Sequence, residues 1–186
     1  MKWKNYSNLA GTHAFLSPSK HYWLRYDDDK LIESYQNYQR VALGTKLHAL
    51  AADLITLGIR LPQTTASFNS FVNDAIGFGM TPEVTLVYSA NCYGTADAIF
   101  FDEITKVLRI HDLKTGVAPG SMDQLLIYAA IFYLDYKLVP AETHLRIYQS
   151  DEIVEYVMGD FDEIKDIADK IVAFDKLLDT IENTIF

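Results

Sequence analysis

The chain of 186 residues has a single cysteine, Cys92. A lone thiol closes no internal disulfide, and alone it holds neither a structural zinc nor an iron–sulfur cluster, so it reads as a small buried hydrophobe. Long apolar runs are also missing. No stretch approaches the roughly 20 residues that a membrane span needs. The opening MKWKNYSNLAGTHAF lacks the apolar run of a signal peptide. A cytoplasmic protein without a membrane partner is therefore expected. Basic residues are scarce, 16 Lys and Arg against 25 Asp and Glu, for a formal net charge of −9. That balance argues against a broad basic surface for gripping nucleic acid, because phosphate contacts need Lys and Arg. It leaves room for a narrow basic channel in an acidic body, the more so because acids crowd residues 151–182. No repeat or low-complexity linker interrupts the chain, and one domain over 1–186 is expected, long enough to bury a core.

What is present orders itself into helices and strands. Ser17-Pro18 reads as a helix start followed by a short helix with Tyr22, Trp23 and Tyr26. Asp27-Asp28-Asp29 reads as a solvated break. A second helix is expected over 31–57, closed by Gly58 and open to a break at Gly44-Thr45. Phe68, Phe71, Val72, Ala75 and Ile76 form an amphipathic stripe ended by Gly77 and Gly79. Strands are predicted over 83–89, 93–101 and 106–113, joined by links short enough for an antiparallel meander. A helix over 121–134 with Ser121 as N-cap follows, then strands over 143–149 and 153–157. The last helix opens on Asp160-x-x-Glu163, with the stripe Ile164, Ile167, Ala168, Ile171, Leu178 and Ile181. The fold class is α/β (α+β), a central mixed sheet flanked by helices.

The chemistry concentrates in Gly94-Thr-Ala-Asp97 and His111-Asp112-Leu113-Lys114. Residues i and i+2 of a strand share a face, so Asp112 and Lys114 project together, while His111 faces away. Asp97, on the neighbouring strand, reaches the same side if the two strands pair through the turn near 102–105. Two converging carboxylates suit a hard divalent cation, and a lysine beside them can orient water or stabilise developing charge. The same spacing also describes a surface ion pair near a turn. Gln124 and Tyr128, at i and i+4 of the following helix, share a face that can point back at the site. Glu83 reads as an edge-strand acid with the option of a further ligand. His13, His21, His111 and His144 have no evident partner.

The segments GTADAIFFDEITKVLRIHDLKTG and DQLLIYAAIFYL resemble the RecB-like branch of the PD-(D/E)XK nuclease superfamily, nearest to bacteriophage and prophage exonucleases. HAFLSPSKHYWLRY and LGTKLHAL add to the resemblance, which spans about residues 11–134. It implies a PD-(D/E)XK, restriction-endonuclease-like core and a Mg²⁺- or Mn²⁺-dependent deoxyribonuclease, most simply an exonuclease acting in recombination or repair. It assigns Asp97, Asp112 and Lys114 to catalysis, His48, Asp97 and Asp112 to metal, and Gln124 and Tyr128 to support of the site or to DNA. Ala96 stands where the family pattern has proline, and Asp112 where many members have Glu. The four cysteines of cluster-bearing relatives are absent, so no iron–sulfur cluster is expected. The implied partners are DNA, a phage single-strand annealing or recombinase protein, and further copies of the chain. Lys20, Arg25, Lys46 and Arg109 are candidates to line a passage for a DNA end. Two other readings stay open, a catalytically inactive DNA-binding or assembly module of this fold and a structure-specific endonuclease.

Overall fold

The computed structural model describes residues 14–185, with side chains to Ile181. His13 and the start of the N-terminal motif lie outside these residues. The chain divides into two compact units, Met1–Thr45 and Lys46–Phe186. The second unit holds the sheet and every residue assigned to catalysis or metal.

In the first unit, Pro18–Arg25 forms a 3₁₀ helix, not an α-helix, kinked at Lys20. Helix α1 (Asp28–Leu57) starts earlier than the apolar pattern suggests. The carboxylate of Asp27 accepts the Lys30 amide at 2.8 Å, and Asp28 and Asp29 occupy the first turn. The aspartate run is thus a helix start, because carboxylates satisfy free N–H groups and complement the positive end of the helix dipole. The helix continues through Gly44-Thr45 without a break. It ends at Gly58, whose φ of +66° only glycine adopts cheaply, with Ile59 bonding back to Leu54.

Helix α2 (Ser67–Gly77) follows, then β1 (Thr81–Ser89), β2 (Cys92–Phe101), β3 (Val107–Leu113), α3 (Met122–Tyr136), β4 (Glu142–Gln149), β5 (Glu152–Met158) and α4 (Asp162–Ile185). The five strands form one mixed sheet in the order β1-β2-β3-β4-β5. The expected meander β1–β3 is antiparallel, β3 and β4 pair in parallel across the α3 connection, and β5 returns antiparallel as an edge.

Two apolar clusters sandwich the sheet. Leu108, Ile110, Leu145 and Ile147 pack toward α3, which is apolar on most sides and lies between the sheet and Ile164 and Ala168 of α4. On the other face, Leu113, Tyr148 and Ala98 meet Phe71, Val72 and Ala75 of α2 and Ala51 and Ile55 of α1. The α4 stripe is buried only in its first half, since Leu178 and Ile181 are exposed. Cys92 is half-buried at the start of β2, not enclosed. The first six residues of β5 are all exposed. No helix among the described residues is long and apolar enough to cross a membrane.

Candidate metal centre

The candidate site forms where β2 and β3 part. The two strands pair from Phe101/Leu108 to Ala98/His111 and no further, so Asp97 and Asp112, next in register, lie at the fork. The side chain of Asp97 takes over the ladder there, its Oδ2 accepting the Leu113 amide at 2.8 Å. Opposite Asp97 on β1 stands Glu83, with a left-handed φ of +52°. Both strands change side-chain alternation at this pair. Ala96 and its partner Val84 face the α3 side, Ala98 faces the α2 side, and Ile99 and Phe101 return to the α3 side. A left-handed non-glycine residue inside a strand stores strain of order 1–3 kcal/mol. At this position it turns an edge acid toward the fork.

One ligand atom from each of His48, Glu83 and Asp97 lies within 4.8 Å of the others. His48 comes from α1, one turn before Ala51 and two before Ile55, which anchor that helix in the α2-side core. Its Nδ1 is 3.3 Å from Asp97 Oδ1, and this contact raises the imidazole pKa against the opposing effect of burial. Burial and the Asp97 charge raise the Glu83 carboxyl. Glu83 therefore joins the candidate ligands, a place that alternation on an edge strand does not reveal.

Asp112 is only 3% exposed. Burial, then the neighbouring Asp97, pushes its pKa up, and Lys114 opposes that shift. The Lys114 ammonium lies 3.1 Å from Oδ1 and 3.0 Å from Oδ2, but only the Oδ1 contact has hydrogen-bond geometry. The buried Oδ2 is left without a hydrogen bond. Gln124 ties the pair together: its carbonyl oxygen accepts from Lys114 Nζ at 2.8 Å, and its amide donates to Asp112 Oδ1 at 3.2 Å. Asp112 and Lys114 thus form an ion pair, but inside the fold and braced by a third residue. Ser121 caps α3 through the Asp123 amide, as the sequence suggested, and so fixes the turn that carries Gln124.

Tyr128, one turn further along α3, donates to the Thr95 carbonyl at 2.7 Å. It braces the strand that bears Asp97, and Gly94 leaves the room its ring occupies. Gln149, at the end of β4, holds the segment after Lys114. Its amide donates to the carbonyls of Gly116 and Ala118 at 2.8 and 2.7 Å, and its oxygen accepts the Gly120 amide at 3.0 Å. A Cβ at Gly120 would fall 2.9 Å from Ile147 and 3.1 Å from the Lys114 stem, so this turn must be bare for the lysine to lie there.

His111 and His144 belong elsewhere. His111 faces the α2 side, fully buried, its Nδ1 3.2 Å from the Tyr148 hydroxyl. That hydroxyl gives its proton to Asp74, so His111 Nδ1–H is the donor of the pair. His144, expected to be unpartnered, lies 2.8 Å from Glu142.

His48, Glu83 and Asp97 are a donor set that fits a divalent cation of the Mg²⁺ or Mn²⁺ type; Asp112, next in register at the fork, lies outside that group and keeps a buried carboxylate oxygen without a hydrogen bond. Neither a protein-family model nor a curated protein matches the chain. A solved structure described as the crystal structure of SSO0001 is 17% identical, covering 83% of this chain and 69% of that one, with a TM-score of 0.38. A likeness of that size carries no argument about fold or function.

Proposed function

We propose that this chain is a metal-dependent DNA nuclease with a PD-(D/E)XK core. The observation that carries the reading is the convergence of Asp97, Asp112 and Lys114 at one strand fork, with Gln124 bonded to both Asp112 and Lys114. The order helix, three antiparallel strands, crossover helix and parallel strand supports it. His48, Glu83, Asp97 and Asp112 would hold Mg²⁺ or Mn²⁺. When bound, the cation supplies an acidified water and neutralises charge on a phosphodiester. The Lys114 side chain lies against Asp112, where it can orient an attacking water and stabilise charge that develops on the phosphate. Gln124 fixes the lysine, and Tyr128 fixes the strand that carries Asp97.

Within this reading the substrate is DNA and the mode is exonucleolytic, in recombination or repair in a bacterial cytoplasm beside an annealing or recombinase protein. With a net charge of −9, a monomer should bind DNA weakly and lose affinity steeply with salt. A closed oligomer that admits a free end would offset this. The test is degradation of linear duplex DNA with Mg²⁺ or Mn²⁺ against an EDTA control, repeated with Asp112→Asn and Lys114→Ala. Cleavage that needs metal and falls about 100-fold or more in both variants is expected. Near-normal rates in either variant remove the reading, and no cleavage by the unaltered chain favours the inactive module. Closed circles cut as fast as linear DNA, by a monomer in light scattering, would favour the endonuclease.

A further inference from the structure

The first unit contains a feature that the candidate metal centre does not use. Phe15, Tyr22, Trp23, Tyr26, Tyr38 and Lys20 line a cavity of about 200 Å³. The indole of Trp23 is fixed by a 3.1 Å hydrogen bond from its N–H to the Ser17 carbonyl. Phe15 packs edge-on against Tyr35 at 5.0 Å and beside Tyr38 at 5.5 Å, and Tyr22 lies 6.1 Å from Tyr26. The rings therefore hold one another in place. Yet Tyr22 is 51% and Tyr38 44% exposed. Aromatic surface of this extent stabilises a fold only when it is covered.

Lys30 is paired with Glu33, and Arg40 donates to Asn37. Among the described residues Lys20 and Arg25 pair with no carboxylate, and Pro18–Arg25 contains no acid at all. A chain of net charge −9 thus carries, beside an open aromatic pocket, a short segment of the opposite sign. The acids that follow, Asp27 to Asp29, belong to the start of α1. Fixed rings with Lys20 in the lining, and Arg25 next to Tyr26 in the chain, suit a planar ligand attached to an anionic chain, because every base offers a face to stack and every nucleotide a phosphate to neutralise.

We propose that this pocket stacks one unpaired base of single-stranded DNA, with Lys20 and Arg25 on the adjoining phosphates. The idea rests on the nuclease reading for its choice of ligand, but the binding it describes needs no metal and no cleavage.

The chain has two tryptophans, Trp3 and Trp23. A full-length Trp3→Phe variant, kept in EDTA, makes Trp23 the sole reporter. Titration with a thymidine 12-mer should quench it saturably, and the blunt duplex of the same length should quench it far less. Tyr22→Leu keeps apolar bulk at a half-exposed position and should weaken binding about tenfold, the worth of one stacked base. With two phosphates neutralised, log K should fall against log salt with a slope near −1.4, and Lys20→Gln should halve it. Equal binding of an abasic 12-mer, no quenching by the 12-mer, or full affinity in Tyr22→Leu overturns the proposal. A chain that degrades DNA with Mg²⁺ but shows no quenching loses the pocket alone. One that quenches but never cleaves loses the nuclease reading alone.

Discussion

Gly94→Ala tests how the α3 brace and the metal-bearing strand fit together. The added Cβ would lie 2.9 Å from Tyr128 Cε1 and 3.4 Å from its hydroxyl oxygen. Carbon atoms prefer about 3.5–4.0 Å, so the ring must move, and its 2.7 Å bond to the Thr95 carbonyl goes with it. Overpacking costs about 1–3 kcal/mol and the hydrogen bond about 1 kcal/mol. Against this, Gly94 has no left-handed backbone, so alanine there removes freedom from the unfolded chain and returns about 0.4–1 kcal/mol. The net expectation is a loss of about 1–3 kcal/mol, seen as a melting temperature lower by about 2–4 °C per kcal/mol in a chain of this size. The decisive comparison is the same substitution in a Tyr128→Ala background. There the clash is gone and Gly94→Ala should stabilise by about 0.5 kcal/mol. Urea denaturation of the four proteins gives the coupling directly. Additivity within about 0.5 kcal/mol would show that the two residues do not meet, and the close fit between α3 and β2 would be wrong.

Other substitutions probe the site and the opposite face. Glu83→Gln should weaken Mn²⁺ binding about tenfold or more in calorimetry; unchanged affinity would leave the cation to the remaining ligands. Gln149→Ala removes three hydrogen bonds worth roughly 0.5–1.5 kcal/mol each. Hydrogen exchange at the Gly120 amide should accelerate while metal affinity stays the same, and continued protection would refute the clamp. Burial holds the His111 pKa down to about 3 against an ordinary 6.5. The unfolded chain takes up this proton below pH 6.5 and the folded chain does not, so the contribution of His111 is complete above pH 6.5. It declines toward pH 3 by about 1.4 kcal/mol per unit. His111→Gln should flatten stability against pH between 6.5 and 4.5, and equal slopes in the two proteins would contradict this.

The parts of the architecture that depend on near neighbours were legible in the sequence. The element order, the meander, the Ser121 cap and the shared face of Asp112 and Lys114 follow from short-range periodicity, and the structure has them. Gln124 reaches the lysine because one helical turn after the cap leaves it little choice. Glu83 was undervalued, because its place depends on a left-handed residue that the alternation rule does not anticipate in a strand. Gln149 acts on a segment about thirty residues away, brought near only by the parallel β3–β4 pair. The aspartates at 27–29 read as a break because acids disfavour helix interiors, yet they favour helix starts. The division of the chain at Thr45 coincides with Gly44-Thr45, where the sequence left room for a break, yet the helix itself runs on through it.

The outer side of β5 has a bearing on how concentrated the protein can become. A strand with one unpaired edge and exposed Ile153, Val154, Tyr156 and Val157 is a template for another strand. Glu155 interrupts that run, held between Arg146 and solvent. Replacing it with valine would create six consecutive uncharged residues, 153–158, the kind of segment that stacks into fibrils. In this location the Glu155 carboxylate opposes growth of the sheet into its neighbours.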